Sequence, residues 1–153
     1  IAPKMNSNIN PTPKISHLIT MSDAQTQRKC EAAEVLYHSQ NYDAALRLFY
    51  EAWLTLPKPQ MQQHSSEIIL SLIGYTYYQL AKYEPAIEAF RSALACQQTD
   101  RRAFVLLRLG QALFDSNEET QARTYLQKAY RLGGSRLFAL EENKYFNIIR
   151  GHT

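Results

Sequence analysis

The side chains that most often perform catalysis or bind metals are few in this sequence and widely spaced. A protein metal site needs several ligands close together, whereas the four histidines lie far apart, at His17, His38, His64 and His152. Cys30 and His38 are eight residues apart, which on one helix is about 12 Å at the helical rise. That distance is too long for a thiol nucleophile and its base. We therefore predict that the chain is not an enzyme and holds no metal.

Two further patterns bear on cofactors and on the cellular compartment. Gly133-Gly134 follows a predicted helix, whereas a phosphate-binding glycine loop precedes one, so we expect no cofactor. Cys30 and Cys96 are 66 residues apart and lack the paired spacing of zinc ligands. We expect both to be packed, unpaired thiols, as in proteins of the reducing cytoplasm.

The net charge is only +3, but the basic residues are unevenly distributed. Residues 99–136 carry seven Lys and Arg against four Asp and Glu, whereas residues 21–98 carry six against eight. The basic residues of segment 99–136 that we consider as a possible binding surface are Arg101, Arg102, Arg123, Lys128, Arg131 and Arg136. Binding of nucleic acid there is one hypothesis, but the neighbouring Glu118 and Glu119 favour a solvated face or a contact with an acidic protein. No apolar run reaches the roughly 18 residues of a membrane span.

The elements that position these residues are helices, and the clearest evidence lies in residues 67–94. Apolar residues recur there at helical spacing, first at Leu70, Ile73, Tyr77 and Leu80, then at Ala86, Phe90, Ala93 and Leu94. Gly74 lies on the first of these stripes. A helical glycine is about 1 kcal/mol less favourable than alanine, so we expect a neighbouring backbone to approach closely at this point. The pattern predicts two antiparallel helices that need neighbours to bury their faces.

The same pattern occurs before and after this stretch. The second helix is repeated upstream in Tyr42, Ala45, Phe49 and Ala52. Both helices are repeated downstream, in Leu106, Leu109, Gly110 and Leu113, then in Ala122, Leu126 and Ala129. Equivalent alanines are 41 and 36 residues apart, close to the 34-residue unit of a tetratricopeptide array.

This pattern resembles the tetratricopeptide repeat family, in particular its small three-repeat bacterial members. The resemblance implies an all-α fold, a right-handed α–α superhelix of three helix pairs with a C-terminal capping helix. The implied repeats are residues 26–59, 67–100 and 103–136, followed by a cap at 137–150, within a single domain of residues 21–153. The first and third copies depart from the family, for instance at Lys29 where Trp is usual and at Leu126 where Phe is usual.

Residues 1–20 lie outside this repeat pattern. They contain three prolines and no helical stripe, so we expect an extended or disordered leader, native or fused to the chain. Its apolar cluster, residues 15–19, is a candidate for docking in the groove of its own chain or of a neighbour. Self-association through the leader is therefore one prediction.

The resemblance also implies a concave groove lined by the first helix of each pair. The side chains expected to bind a partner there are Tyr37, Tyr75, Tyr78, Phe104, Leu107, Arg108, Gln111 and Phe114. Exposed aromatic rings in a groove are typical anchors of peptide recognition. The alternative is that some side chains of these first helices are buried between adjacent helix pairs, and we expect this first for Leu72 and Leu107.

The family is best known for clamping the terminal carboxylates of chaperone tails. The corresponding positions here are Cys30, Glu34, Leu72, Phe104 and Arg108, and only Arg108 has suitable chemistry. An acidic C-terminal tail is therefore disfavoured. We predict a protein-binding module, an adaptor or chaperone, for an apolar or aromatic segment of a partner. The alternatives are a toxin-immunity or secretion-chaperone protein that sequesters one partner, and nucleic-acid binding through the basic third repeat.

Overall fold

Seven α-helices and two short 3-10 helices make up the part of the chain that the computed structural model describes, residues 24–96 and 101–150. The α-helices are α1 (Ala24–His38), α2 (Tyr42–Thr55), α3 (Ser66–Gln79), α4 (Tyr83–Ala95), α5 (Arg102–Asp115), α6 (Glu119–Gly133) and α7 (Asn143–Ile149). The pairs α1–α2, α3–α4 and α5–α6 stack in chain order. The predicted all-α helical repeat superhelix is confirmed. The predicted leader, residues 1–20, lies outside the described residues.

The two helices of each pair are joined by the same turn. Gln40, Ala81 and Asn117 occupy equivalent positions and adopt positive φ angles of 63°, 55° and 68°. In each turn the next backbone N–H donates to a carbonyl five residues earlier, as from Asn41 to Leu36 at 2.8 Å. This is the Schellman arrangement that ends a helix in a left-handed residue. The repetition of this turn gives the three pairs the same antiparallel geometry.

Within the second and third pairs, a large side chain of the second helix packs onto a glycine of the first. A Cβ atom added to Gly74 would lie 2.7 Å from Cε1 of Phe90, and one added to Gly110 would lie 2.6 Å from Cγ of Leu126. The expected close approach at Gly74 is therefore made by the Phe90 ring and not by a neighbouring backbone. Because Phe90 and Leu126 are almost completely buried, glycine at these positions sets the spacing within each pair.

The connection between the first and second pairs is a loop that contains one turn of 3-10 helix, Gln60–Gln62, and α3 begins only at Ser66. The Gln60 side chain donates to the Trp53 carbonyl at 3.0 Å, which fastens the loop to the end of α2. The Ser66 hydroxyl donates to the Gln60 carbonyl, which fastens the loop to the start of α3.

The C-terminal segment covers the last helix pair, as the fold prediction required. Helix α6 ends at Gly133, and Gly134 follows with a φ of 68°. Phe138, Tyr145 and Ile148 are then buried with Leu126 and Ala129 of α6 in one apolar cluster. Without this cover the outer apolar face of the third pair would lie open to water. Among the described residues, no helix has the length and apolar character needed to cross a membrane.

We predict that Gly110→Ala lowers the stability of the fold, although the same change in an ordinary helix stabilises it. The added methyl group would collide with Cγ of Leu126 and approach its backbone nitrogen to 3.2 Å. Overpacking of this kind costs about 1–3 kcal/mol, and urea unfolding measures it. A variant as stable as the wild type, or more stable, would contradict the close packing described here.

Candidate functional site

Helices α3 and α5 present the face on which most of the predicted binding residues meet. We call this surface the inner face and define it by six side chains, Tyr75, Tyr78, Phe104, Arg108, Gln111 and Phe114. Tyr75 and Phe104 are in ring contact, with centroids 6.0 Å apart. Arg108 Nε donates to the Tyr75 hydroxyl at 3.3 Å. The stacking of the second and third pairs therefore brings these two helices together at this surface.

Arg108 is the centre of a buried polar network that closes part of the inner face. Its Nη1 donates to the side-chain oxygen Oε1 of Gln111 at 2.8 Å and lies 3.0 Å from Oε1 of Glu141. Gln111 Nε2 also donates to the Glu141 carboxylate, at 2.7 Å. The Arg108 and Glu141 side chains are only 4% and 3% exposed. A buried guanidinium needs a carboxylate partner, and the segment before α7 supplies it.

A second polar cluster joins the inner face to α7. The Tyr145 hydroxyl donates to Asp115 Oδ2 at 2.7 Å and lies 3.1 Å from the Tyr78 hydroxyl. Tyr78 also donates to the same carboxylate oxygen, and Lys144 Nζ lies 3.3 Å from Asp115 Oδ1. The C-terminal segment is thus held to α3 and α5 by hydrogen bonds and ion pairs, and to α6 by apolar contacts.

The expectation that the aromatic rings of the groove stand exposed is wrong for Tyr37, Tyr75 and Tyr78. Tyr75 and Tyr78 are only 2% and 8% exposed, and Arg108 and Gln111 are equally buried. The space that they enclose together with Phe90 does not admit a water molecule. The physical reason is that Tyr75 packs between Phe90 and Phe104, while α7 covers Tyr78. Their part in partner binding stays a prediction.

Two aromatic rings of the inner face are half-buried and keep part of their surface open, Phe104 and Phe114. The Phe104 ring lies between two guanidinium groups, 5.2 Å from that of Arg101 and 4.8 Å from that of Arg108. Phe114 packs edge-on against Tyr145, and Lys144 Nζ lies 5.8 Å from its ring. The accessible part of the face is therefore aromatic and bordered by cations.

The remaining two predicted residues lie apart from these six. Tyr37 of α1 is buried against Tyr42, with ring centroids 5.3 Å apart, and its hydroxyl accepts a bond from Gln79 Nε2 at 3.2 Å. Leu107 is fully buried in the cluster under the C-terminal segment. Leu72 is likewise buried. The alternative of burial therefore holds for both leucines, but Leu107 is buried under the C-terminal segment and not between helix pairs.

Burial suppresses the ionisation of the tyrosines and thiols of this core. Burial raises the pKa of Tyr75 from 10.0 to about 12, although Arg108 opposes the shift. Burial, with Glu34 and Glu31, raises the pKa of Cys30 from 9.0 to about 12. Burial and the charge of Glu67 raise the pKa of Cys96 to about 11. Neither cysteine is therefore a reactive thiolate near neutral pH. In the parts of the chain that the structure describes, no three His, Cys, Asp or Glu side chains are grouped to bind a metal.

The sequence interpretation missed the part played by the C-terminal segment in this site. Glu141, Lys144 and Tyr145 were assigned to a cap that covers the third pair, yet they also pair with charged side chains of α5. The available signal was Arg108, since it lies among buried positions of α5 and a buried arginine requires an acidic partner. The sequence does not show which acidic side chain lies close enough to Arg108 to pair with it.

With this geometry, the chain can be compared with known proteins. The family model described as "Tetratricopeptide repeat" matches residues 69–99 and 105–132, which correspond to the second and third helix pairs. The second and third helix pairs are tetratricopeptide repeats, as the resemblance predicted. No protein with a curated description matches its sequence.

Solved structures of this fold include two similar ones. One is the Sgt2 TPR domain from Aspergillus fumigatus, with a TM-score of 0.64 and 17% identity, over 82% of this chain and 75% of that one. The other is the type III secretion chaperone SycD of Yersinia enterocolitica, in complex with a peptide of the translocator YopD, with a TM-score of 0.67 and 14% identity, over 83% and 91%. At these identities the similarity establishes the fold and not the partner.

We predict that Glu141→Ala destabilises the fold strongly because it leaves the buried Arg108 guanidinium without a carboxylate. Removing one partner of a buried pair costs about 3–5 kcal/mol. Glu141→Gln retains hydrogen-bonding oxygen and is expected to lose less. The control is Glu88→Ala, since Glu88 pairs with Arg91 at the surface, where an ion pair contributes about 1 kcal/mol or less. Equal losses for Glu141→Ala and Glu88→Ala in urea unfolding would contradict the buried network.

We predict that stability falls as the pH rises above about 9. The folded chain retains protons on Cys30, Cys96 and Tyr75 at pH values at which the unfolded chain loses them. Each such group lowers the free energy of unfolding by at most about 1.4 kcal/mol per pH unit between its unfolded and folded pKa values. Melting temperatures at pH 8 and pH 10 measure the effect, and Cys30→Ala is expected to reduce the slope. A melting temperature that does not change across this range would contradict the assignment.

Proposed function

We propose that this chain is a non-catalytic protein-binding module that captures an apolar or aromatic segment of a partner protein at the inner face. The observation that carries the proposal is the half-buried Phe104 ring next to the guanidinium groups of Arg101 and Arg108. Half-buried aromatic rings next to cations are frequent anchors of protein recognition. Phe104 packs in part on the core and leaves the rest of its ring at the surface.

The charges around the open rings indicate what kind of segment fits. Arg101 Nη1 is buried, lies 3.7 Å from Glu67 Oε1 and has no hydrogen-bond acceptor in the described part of the chain, so only the rest of this partly exposed side chain can face a partner. Lys144 stands beside Phe114 at the other end of the face. A segment with one or two apolar side chains on Phe104 and Phe114 would place its backbone carbonyls, or one acidic side chain, near Arg101 and Lys144. Arg108 is already paired with Glu141. Its expected part in binding is therefore limited to its contact with the Phe104 ring.

The comparisons support the general class of this proposal. SycD has been solved with a peptide of YopD, so the same fold binds a peptide segment in that protein. A narrower form of our proposal is that this chain sequesters one partner, as a secretion chaperone or a toxin-immunity protein does, and the wider form is an adaptor. The two buried thiols favour the cytoplasm as its compartment, since it keeps thiols reduced.

We predict that replacing both open rings, Phe104→Ala with Phe114→Ala, weakens partner binding strongly. The loss of aromatic anchors costs about 2 kcal/mol or more, which is roughly a thirtyfold rise in Kd. The partner would be isolated by capture from the source cells, and its affinity for each purified variant measured by calorimetry. Circular dichroism would check that the helical content is unchanged.

The matched control is Leu54→Ala, which removes a side chain that is 74% exposed on α2, away from the inner face. The proposal requires this control to bind like the wild type. Unchanged affinity of the double Phe variant would reject the inner face as the site. An equal loss in the Leu54→Ala control would also reject it.

The leader, residues 1–20, enters the proposal as a competitor for the same face through residues 15–19. Its deletion is then expected to raise the affinity for the partner or to dissociate oligomers of the chain. Calorimetry and light scattering over a range of concentrations measure the two effects. If neither the affinity nor the mass changes, the leader has no part in binding or self-association.

A further inference from the structure

A pocket of about 410 Å³ lies between α6 and α7, at the C-terminal end of the array. We call it the end pocket, and its lining residues are Gln127, Tyr130, Arg131, Phe146, Ile149 and Arg150. None of them belongs to the inner face, so the end pocket is independent of the function proposed above. Its size suits a large side chain of a partner and not a whole folded element.

Aromatic rings shape this pocket. The Tyr130 and Phe146 centroids are 5.8 Å apart, and Phe146 also packs against Phe138 at 5.7 Å. Tyr130 nevertheless remains 40% exposed, while Phe138 is buried. The pocket therefore has an apolar floor that is fixed by the core and a ring that reaches solvent at its edge.

The lip of the pocket is positively charged. Arg131 and Arg150 line it, and the Arg150 guanidinium lies 5.2 Å from the Phe146 ring. Lys128 lies three residues before Arg131 on α6, so these two side chains are neighbours on that helix. Arg136 follows in the 3-10 helix at the end of α6.

The acids of this region do not neutralise these cations. Residues 119–150 contain three acidic side chains, and each is paired with another base, Glu119 with Arg123, Glu141 with Arg108 and Glu142 with Lys144. Among the described residues, no ion pair involves the basic residues at this end of the array, Lys128, Arg131, Arg136 and Arg150. The end pocket therefore combines aromatic and aliphatic side chains with basic side chains that form no ion pair among the described residues.

We propose that the end pocket is a second docking site, for an acidic segment of a partner protein that inserts one large apolar side chain. The apolar side chain packs against Phe146 and Ile149, while carboxylates on either side of it pair with Arg131 and Arg150. The pocket favours such a segment over nucleic acid, since binding of a phosphate backbone depends on cations and makes no use of the apolar side chains Phe146 and Ile149. This assigns a function to the excess basic charge of the third repeat.

The test uses the full chain and a blocked synthetic peptide in which a single Phe is flanked on both sides by Asp residues. Its affinity is measured by fluorescence anisotropy at low salt for the wild type and for Arg131→Gln with Arg150→Gln. Losing both cations is expected to raise the Kd about tenfold, from two partly exposed charge pairs. The control pair is Arg28→Gln with Arg47→Gln, which makes the same change in net charge at exposed positions of α1 and α2. We expect this control to bind like the wild type.

Two further probes separate the components of the proposal. A peptide with Ser in place of the Phe is expected to bind at least tenfold more weakly, because the apolar floor then has no partner. A single-stranded oligo(dT) is expected to bind more weakly than the acidic Phe peptide. The proposal would be overturned by absence of peptide binding, or by equal losses in the two Arg variants. Tighter binding of oligo(dT) through Arg131 and Arg150 would overturn it in favour of a nucleic-acid site.

Discussion

The close packing of one large side chain onto one glycine determines most of this structure. In α3–α4 it is Phe90 on Gly74, and in α5–α6 it is Leu126 on Gly110. Because the contact admits no Cβ atom, it sets the spacing of these two pairs, and the repeated left-handed turn residue gives all three pairs the same antiparallel geometry. Similar pairs stack, and stacking leaves an unpaired apolar face at the end of the array.

That unpaired face explains the position of the C-terminal segment. Phe138, Tyr145 and Ile148 cover α6, and the chain that joins them brings Glu141 over α5. A buried ion pair is weak as a source of stability, because desolvation offsets most of its Coulombic energy. Here the pair fixes where the C-terminal segment lies, because only one position of the segment brings the Glu141 carboxylate to Arg108 and Gln111. The cover thereby closes the middle of the inner face and leaves Phe104 and Phe114 at its open border.

The helix pairs could be predicted from the sequence because the residues that build them carry a local signal. Gly74, Phe90 and Ala86 recur at equivalent positions in the third copy or the first, and Gly133-Gly134 marks the end of α6. The exposure of Tyr75 and Tyr78 could not be predicted in this way. It depends on how tightly neighbouring pairs stack and on where the C-terminal segment lies, and both are contacts between residues 30 or more positions apart in the chain.

Because contacts join residues that are far apart in the chain, the sequence also does not show which charged side chains pair with each other. Arg108 was recognised as a polar residue of the groove, but its partner Glu141 lies 33 residues away in a segment interpreted only as a cap. The basic side chains of the third repeat were visible as a count. Only the structure shows that Arg131 and Arg150 border an apolar pocket, whereas Arg101 and Arg108 enclose Phe104. The basic side chains thus belong to two separate surfaces, the inner face and the end pocket, for which we expect different partners.

Hydrogen exchange of the chain with and without its captured partner tests the central claim most directly. If the inner face takes the partner, amide protection is predicted to rise in the peptides of α3 and α5, including those that contain Phe104 and Phe114. Protection that rises only in α2 and α4, with α3 and α5 unchanged, would contradict the account.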